Sequence, residues 1–309
     1  MENNNSLVIG FRHYINDRDR KRDGFILEKI ALIKNKKLKP NTKGSYSYCY
    51  FFGKQVILKN IVPFDVPKPD YGKEFEQDKT FINNVIDTYK INAPKLIGYL
   101  VGKHHYYRVE EKANGTVVSV SYPSTARAIA FKTGVLDGSS SKEELAREND
   151  IQPGEAEEIG KALYVYNVSM QKQLKNAHPD MFKKFVTDFK NLVNNGVSID
   201  FFRSENFLFD KDTGFSFVDL EKQRGEVKPV ADYEIGKMIY RALGDFKKFA
   251  CHPYMNRAQI KTIEKNMNDV NYKLFEAMRS AKFNLSPQEL AALDPTKNGL
   301  YVSYKKDKK

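Results

Sequence analysis

The sequence has no tryptophan and only two cysteines, Cys49 and Cys251. The two cysteines lie far apart and have no metal-ligand spacing, so neither a disulfide framework nor a cysteine metal site is indicated. Such sparse cysteine use fits a reducing cytosol. No stretch approaches the roughly 18 consecutive apolar residues of a membrane span, and the start of the chain lacks the apolar run of a secretory signal. We therefore expect no transmembrane segment, while export by a route without such a signal stays open.

The 309 residues, of which 41% are hydrophobic, are enough for one large domain or for two lobes with a filled core. The formal net charge is +12, and the lysines and arginines are concentrated at residues 18–22, 34–43 and 305–309. A field of this sign attracts polyanions. We expect an anionic ligand such as an inositol polyphosphate or a phosphoinositide, with nucleic acid less favoured. The alternative is that these side chains only form a solvated surface.

Apolar periodicity and turn residues predict the helices and strands of the chain. Helices are expected over residues 25–33, 73–90, 124–133, 155–175, 180–194 and 260–281, and another begins near residue 235. Strands are expected over residues 46–52, 55–58, 96–101, 105–109, 207–209 and 215–218.

Residues 196–222 carry the most informative set of polar side chains. Two short apolar runs flank a polar turn at residues 210–214, which predicts a β-hairpin. Asp200 and Asn206 precede this hairpin and Asp219 closes it, so the three side chains are expected to converge at one end of a two-stranded ribbon. One of them can accept a proton, and two oxygen ligands can hold a hard divalent cation. The stretch predicts a metal-assisted catalytic site, with an ordinary surface hairpin as the alternative.

This layout resembles the catalytic loop and metal-binding strand of the protein-kinase-like superfamily. It is most similar to the atypical kinases that pathogenic bacteria inject into host cells. The resemblance implies the α+β class and a bilobal protein-kinase-like fold, in which a small β-rich N-lobe precedes a larger, mostly helical C-lobe. It also implies a basic extension at residues 1–43, an N-lobe at residues 44–115 with a hinge near 110–115, and a C-lobe at residues 116–309 with a basic tail.

The resemblance extends to residues that would hold the phosphates of ATP. The Val-Ile-Leu-Lys strand at residues 56–59 is similar to the family's strand-three motif, which implies that Lys59 contacts the phosphates. Gly44 lies in the turn that takes the place of the glycine-rich loop. An acid on the helix over residues 73–90, either Asp78 or Glu74, is implied to orient Lys59.

The remaining implied roles concern adenine, the metal and the acceptor. The turn from Glu110 to Lys112 resembles the hinge between the lobes, which implies contacts between its backbone and adenine. Asn206 and Asp219 match the residues that hold Mg²⁺ or Mn²⁺ against the phosphates of ATP. Asp200 matches the residue that orients or deprotonates the acceptor hydroxyl, so it and the strand lysine are the implied catalytic residues.

The implied function is transfer of the γ-phosphate of ATP to a Ser/Thr hydroxyl of a protein substrate. The enzyme would be an atypical kinase in the cytoplasm, or a bacterial effector delivered into the host cytosol, with a polyanion as a candidate regulator. The sequence departs from the family at Ser198-Ile199-Asp200, where His-Arg-Asp is usual, and five residues separate Asp200 from Asn206, one more than in the family. The alternatives are a pseudokinase, a polyanion-binding module, or a small-molecule or lipid kinase, which the short segment after Asp219 favours.

Overall fold

The computed structural model describes residues 7–9, 17–43, 47–60, 71–101, 105–119, 153–203, 206–244 and 256–298. Its helices and antiparallel sheets confirm the predicted α+β class. The chain divides into two compact units, Met1–Ala113 and Asn114–Lys309. The predicted turn at Gly44, the predicted helix at residues 124–133 and the basic cluster at residues 305–309 lie outside the described residues. Within the ranges given above, no helix has both the length and the apolar composition that a membrane-spanning segment requires.

The first unit is built on one antiparallel sheet. Its strands are β1 (Leu7–Ile9), β2 (Thr42–Lys43), β3 (Ser47–Phe52), β4 (Gln55–Asn60), β5 (Leu96–Val101) and β6 (Tyr106–Glu111). Across the sheet their order is β1-β5-β6-β4-β3-β2. The predicted hairpin of β3 and β4 and the two predicted strands β5 and β6 are confirmed, and β6 continues to Glu111 because this residue pairs with Gln55.

Helix α1 (Asp17–Lys34) covers one face of this sheet. Ile26, Ile30 and Ile33 recur at helical spacing, are at most 2% exposed, and form a core with Ile57 and Tyr107 of the sheet. Burial of one such side chain contributes about 1.5–3 kcal/mol to the free energy of unfolding, so the three isoleucines hold the helix on the sheet. We call this side of the sheet the α1 face. The predicted helix over residues 25–33 is confirmed, but it begins earlier, because the preceding polar stretch has no apolar periodicity that a sequence pattern could detect.

Helix α2 (Tyr71–Tyr89), which the sequence predicted, covers the opposite face, the α2 face. Phe75 stacks on Tyr99 of β5, with the ring centroids 4.4 Å apart. The side chain of Asn83 also bonds the backbone N–H and the backbone carbonyl of Leu96, each at 2.9 Å. Neighbouring residues of a strand point to opposite faces of a sheet. Leu100, next to Tyr99, belongs to the core under α1, so the two helices lie on opposite sides.

The second unit combines helices with two small antiparallel sheets. Its helices are α3 (Pro153–Asn176), α4 (Pro179–Asn194), α5 (Asp232–Ile239), α6 (Arg257–Ser280), α7 (Pro287–Leu293) and α8 (Pro295–Asn298), and a π-helical turn, Tyr240–Gly244, follows α5. Its strands are β7 (Thr116–Val117), β8 (Val197–Ser198), β9 (Phe207–Asp210), β10 (Gly214–Phe217) and β11 (Glu221–Lys222), paired in the orders β10-β9-β7 and β11-β8. Helices α3 to α6 and the β9–β10 hairpin confirm the predictions, whereas β7 was not predicted.

A cluster of phenylalanines packs helix α4 against the β9–β10 hairpin. None of its members is more than 4% exposed, and they are Phe182, Phe185, Phe189, Phe207, Phe209, Phe215 and Phe217. The ring of Phe185 lies parallel to that of Phe217 at 5.2 Å and tilted against that of Phe215 at 4.7 Å. Because Phe207 directly follows Asn206, and Phe217 closely precedes Asp219, this core sets the position of both candidate metal ligands.

Gly115, near the start of the second unit, has a backbone conformation that favours glycine, with φ of +99°. A Cβ added there would lie 2.6 Å from the backbone oxygen and 2.7 Å from the backbone carbon of Phe209. We expect Gly115→Ala to lower the free energy of unfolding of this unit by about 2–3 kcal/mol, because backbone strain and steric overlap both oppose alanine. Gly225→Ala is the matched control for urea unfolding, since Gly225 has φ of +89° and open space around it. Equal losses in the two variants would show that the overlap has no effect.

Candidate active site

The strand pairing of the second unit brings Asp200 and Asp219 together. Strand β8 ends just before Asp200 and pairs antiparallel with β11, which begins just after Asp219. Ser198 pairs with Glu221, so Asp200 and Asp219 each lie two residues beyond the last pair, at the same end of the two strands. The intervening Ile199 and Leu220 are 6% and 3% exposed, so their burial anchors both segments. Both aspartates themselves are exposed.

Asn206 lies at the same end of the hairpin. The backbone N–H of Val218 donates to the carbonyl of Asn206 at 2.9 Å, so Asn206 and Asp219 flank the last pairing of β9 with β10. The Asn206 residue is 7% exposed, and its Nδ2 donates to the backbone oxygen of Asp200 at 3.2 Å. With Nδ2 used in this bond, Oδ1 is the atom of the side chain that can bind a cation. The structure therefore places the three residues of the sequence prediction at the same end of the hairpin.

Asp219 has a left-handed backbone conformation, with φ of +58°. This conformation costs most residues with a Cβ roughly 1–2 kcal/mol, although Asp and Asn adopt it more often than the others do. Strained conformations of this kind persist where the surrounding structure holds them, and they cluster at active sites and ligand clamps. Asp219 lies between the buried strand β10 and the buried Leu220, which provide that support. The backbone of Asp219 is therefore a second reason, besides its position, to assign it a function.

The carboxylate of Asp200 is held in place by its own loop. Its Oδ1 accepts the backbone N–H of Phe202 at 3.2 Å, and its Oδ2 pairs with Nε of Arg203 at 3.0 Å. The side chain remains 43% exposed. Asp200 is thus both oriented and accessible to solvent, as a group that accepts a proton from a bound molecule must be.

The oxygen atoms of this site fit a cation that takes its remaining ligands from water or from a bound molecule. In the part of the chain that the structure describes, no group of three or more His, Cys, Asp or Glu side chains is placed to hold a metal ion. The loop offers two protein oxygens, from Asn206 and Asp219. Mg²⁺ keeps several waters and is usually bound by one or two carboxylates together with substrate phosphates. These residues therefore fit Mg²⁺ or Mn²⁺ bound with a nucleotide, and on their own they are too few for a cage made of protein ligands.

The loop that carries Asp200 also involves two residues that the sequence did not single out. The side chain of Phe202 is 64% exposed, and the guanidinium carbon of Arg241 lies 5.8 Å from the centroid of its ring. Phe202 belongs to the predicted loop, where an exposed aromatic residue was a signal. Arg241 comes from the π-helical turn, which no local pattern connects to this loop. Together they add an aromatic surface and a positive charge beside the candidate site.

In the first unit, Lys59 lies on the α1 face. The strand register pairs Lys59 with Tyr48 and with Tyr107, and Tyr107 belongs to the core under α1. Burial lowers the pKa of Lys59, and the nearby charge of Lys36 lowers it further. Lys59 is therefore a partly buried cation that lies near a second cation.

The two acids implied to orient Lys59 belong to α2, on the other side of the sheet. Glu74 is exposed. The pKa of Tyr99 is raised to about 12, mainly by burial. The charge of Arg108 opposes this rise, and the charge of Asp78 adds to it. Asp78 therefore lies near residues of the α2 face. The structure does not bring Lys59 together with either acid.

The α2 face carries a buried ion pair that sequence reasoning missed. Nη2 of Arg108 lies 3.1 Å from Oε2 of Glu110, and the two side chains are 11% and 8% exposed. An arginine and a glutamate two residues apart in a strand point to the same face, so the signal was available in the sequence. The side chain of Glu110 thus belongs to the interior of the first unit.

The backbone of the implied hinge already takes part in the sheet. The N–H of Glu111 donates to the carbonyl of Lys95 at 2.9 Å, and the N–H of Lys112 donates to the carbonyl of Lys54 at 2.7 Å. An adenine placed along Glu110 to Lys112 would therefore meet amide groups that are already bonded within the unit. Its hydrogen bonds would have to come from the carbonyl groups or from residues farther along the chain.

No protein-family model matches the chain, and no curated protein matches it. The functional assignment therefore rests on the residues of the chain itself. Among the residues that the structure describes, the exposed carboxylate of Asp200 and the two oxygen donors at Asn206 and Asp219 form the most complete chemical site.

Proposed function

We propose that the chain is an atypical ATP-dependent kinase that transfers the γ-phosphate to a Ser/Thr hydroxyl of a protein. The observation that carries this proposal is the convergence of Asp200, Asn206 and Asp219 at one end of the β9–β10 hairpin. It combines an oriented, exposed carboxylate with two oxygen donors suited to a divalent cation. Phosphoryl transfer depends mostly on positioning and on charge stabilisation, and these are the contributions that the three residues can make.

Each residue of the site has a separate task in this proposal. Asn206 and Asp219 hold the cation together with the nucleotide phosphates. A bound Mg²⁺ or Mn²⁺ neutralises charge on the phosphate oxygens. Asp200 accepts the hydrogen bond of the acceptor hydroxyl and aligns its oxygen with the γ-phosphorus. Arg203, paired with Asp200 at 3.0 Å, holds the carboxylate in position until the acceptor replaces one of its contacts.

The first unit supports a bilobal kinase-like fold through its order of elements. The β3–β4 hairpin, helix α2, and strands β5 and β6 follow one another as the resemblance implies, and they form one antiparallel sheet. Lys59 remains a candidate for contact with phosphate, since it is a partly buried ammonium group near the end of β4. It would make that contact without an acidic partner from α2.

The test is transfer of labelled γ-phosphate from ATP by the purified chain, with Mg²⁺ or Mn²⁺ and with both acidic and basic proteins as acceptors. We expect metal-dependent labelling of Ser or Thr. Asp200→Asn is expected to reduce the transfer rate about 10²-fold while leaving ATP affinity within about twofold, because it removes the contact with the acceptor and not the metal ligands.

Asp180→Asn is the matched control, since this carboxylate is 83% exposed and belongs to the first turn of α4. It should leave transfer unchanged. ATP binding without transfer to any acceptor would contradict the kinase assignment and favour a pseudokinase. Equal rates for Asp200→Asn and the unmodified chain would remove Asp200 from the mechanism.

A further inference from the structure

The π-helical turn that follows α5 presents one charged side chain from a buried support. Arg241 is exposed, whereas the other four residues of this five-residue turn are buried. The hydroxyl of Tyr240 donates to the carbonyl of Leu293 at 2.9 Å, which ties the start of the turn to α7. Short π-helical segments are rare and are frequently found at functional sites. The position of Arg241 is therefore set by the core of the second unit.

Helix α6 holds the other end of the same turn. Nδ2 of the buried Asn271 donates to the carbonyl of Gly244 at 3.4 Å and to that of Met267 at 2.7 Å. A Cβ added at Gly244 would overlap Oδ1 of Asn271, so glycine is what allows this close approach. The backbone on both sides of Arg241 is thus fixed. A group that is fixed before binding loses less conformational freedom when it binds, which favours affinity.

The guanidinium of Arg241 packs on the loop that carries Asp200. Its central carbon lies 5.8 Å from the centroid of the Phe202 ring, and this ring lies 4.5 Å from that of Phe201. The side chain of Phe202 is 64% exposed, and its backbone N–H donates to Oδ1 of Asp200 at 3.2 Å. Arg241 therefore contacts the residue whose backbone holds the candidate catalytic carboxylate.

Arg241 has no ion pair with any acidic residue in the part of the chain that the structure describes. Lys237, one turn earlier on the same helical segment, does have such a partner, since its Nζ lies 2.5 Å from Oε1 of Glu234. Arg203 also has one, because its Nε pairs with Asp200. A guanidinium can stack on an aromatic ring and still offer its N–H groups to a carboxylate in a bidentate contact. The charge of Arg241 is thus available to a bound molecule.

We propose that Arg241 and Phe202 recognise an acidic residue, Asp or Glu, of the protein substrate. The role of this pair rests on the proposed function, in which Asp200 contacts the acceptor hydroxyl. Arg241 binds the substrate carboxylate, and the exposed ring of Phe202 gives apolar contact to the segment that carries it. The formal net charge of +12 also attracts acidic substrates. Because an extended chain spans about 3.3 Å per residue, the acidic residue lies within about four positions of the acceptor.

The test uses pairs of short peptides that carry one serine in an otherwise neutral sequence. In each pair, one position within about four residues of the serine is Asp in one peptide and Asn in the other. Transfer of labelled γ-phosphate is measured at constant ionic strength, because salt screens the attraction. We expect kcat/KM at one or more positions to be about 10-fold higher for the Asp peptide, mainly through KM, as one charge-assisted contact provides.

Arg241→Gln should reduce this preference for Asp over Asn to within about twofold, because it removes the charge-assisted contact. The readout is the ratio of the two peptides, so an effect of the substitution on folding or on the transfer step cancels. Arg241→Lys should keep part of the preference, since lysine retains the charge and loses the bidentate contact. Arg257→Gln is the matched control and should keep all of it, because this exposed arginine begins α6, about 20 Å along the helix from Asn271.

Two substitutions at Phe202 separate the ring from the charge. Phe202→Ala removes the surface on which Arg241 packs and should lower the preference for Asp about threefold. Phe202→Tyr keeps the aromatic ring and should keep the preference. A ring that served only folding would leave the ratio of the two peptides unchanged in both variants.

Binding of the same peptides, measured by fluorescence anisotropy without ATP, distinguishes this recognition site from the proposed function. Transfer without preference for Asp at any position, or with a preference that Arg241→Gln leaves intact, would overturn the site and leave the kinase assignment standing. Binding of Asp peptides that depends on Arg241, without transfer, would support the site and contradict the kinase assignment. Absence of both binding and transfer would overturn both.

A third set of peptides, with phosphoserine in place of Asp, tests the identity of the anion. Equal or weaker transfer to these peptides supports a carboxylate as the group that Arg241 binds. A higher kcat/KM for phosphoserine than for Asp at the same position, lost in Arg241→Gln, would overturn the assignment to a carboxylate.

Discussion

Replacing Phe185 with alanine is expected to lower the free energy of unfolding of the second unit by about 3–5 kcal/mol. Phe185 is 1% exposed. Its ring contacts those of Phe189 on its own helix and of Phe207, Phe215 and Phe217 on the hairpin. Truncation leaves a cavity between two elements, and neither can close it without breaking its remaining contacts. Urea unfolding followed by circular dichroism measures the loss.

Phe202→Ala is the matched control, because it makes the same chemical change at a side chain that is 64% exposed. Its effect on the free energy of unfolding should stay within about 0.5 kcal/mol. A loss below about 1 kcal/mol for Phe185→Ala would contradict the packing of the cluster, since such a value is typical of less buried positions. Phe185→Ala should also weaken metal-dependent ATP binding, because Phe207 directly follows Asn206.

The elements around the site were predictable because their signals are local. Phe182, Phe185 and Phe189 recur at helical spacing, and the exposed turn of the hairpin separates two short runs of β-forming residues. A hairpin brings its two ends together whatever the rest of the chain does. The meeting of Asn206 with Asp219 therefore followed from the sequence alone.

Contacts between distant segments were not predictable in this way. Strand β7 has only two residues, and Thr116 pairs with Phe209 of β9. A two-residue strand has no measurable alternation, and its partner lies far along the chain. The close approach of Gly115 to the backbone of Phe209 follows from this pairing, so it also had no local signal. The contact between Arg241 and Phe202 also joins residues far apart in the sequence, so no local pattern predicted it.

The surroundings of Lys59 could not be predicted from the sequence for a different reason. Alternation along β4 indicates that Ile57 and Lys59 point to the same face, but it cannot show which helix covers that face. The sequence assigned residues 1–43 to a basic extension, whereas α1, from this segment, buries three isoleucines against Ile57 and its neighbours. The identity of the covering helix is a tertiary property. It decides whether Lys59 lies on the side of α2, with its acids, or on the side of α1, near Lys36.

Asp219→Asn is expected to reduce metal-dependent phosphate transfer at least about 10³-fold, because loss of a metal's charge stabilisation costs several kcal/mol and each 1.36 kcal/mol is tenfold in rate. The change removes the anionic oxygen and keeps the size of the side chain. Asparagine also tolerates the left-handed backbone that Asp219 adopts at φ of +58°. The variant should therefore fold, and its melting temperature without nucleotide should match that of the unmodified chain.

The measurement pairs transfer rates with titration of Mg²⁺ or Mn²⁺ at saturating ATP. If Asp219 holds the cation, Asp219→Asn raises the metal concentration needed for half-maximal transfer, whereas Asp200→Asn lowers the maximal rate without moving that concentration. Asp212→Asn is the matched control, because Asp212 is an exposed carboxylate in the turn of the same hairpin. An unchanged metal dependence in Asp219→Asn would exclude Asp219 as a ligand and leave its strained backbone without an assigned function.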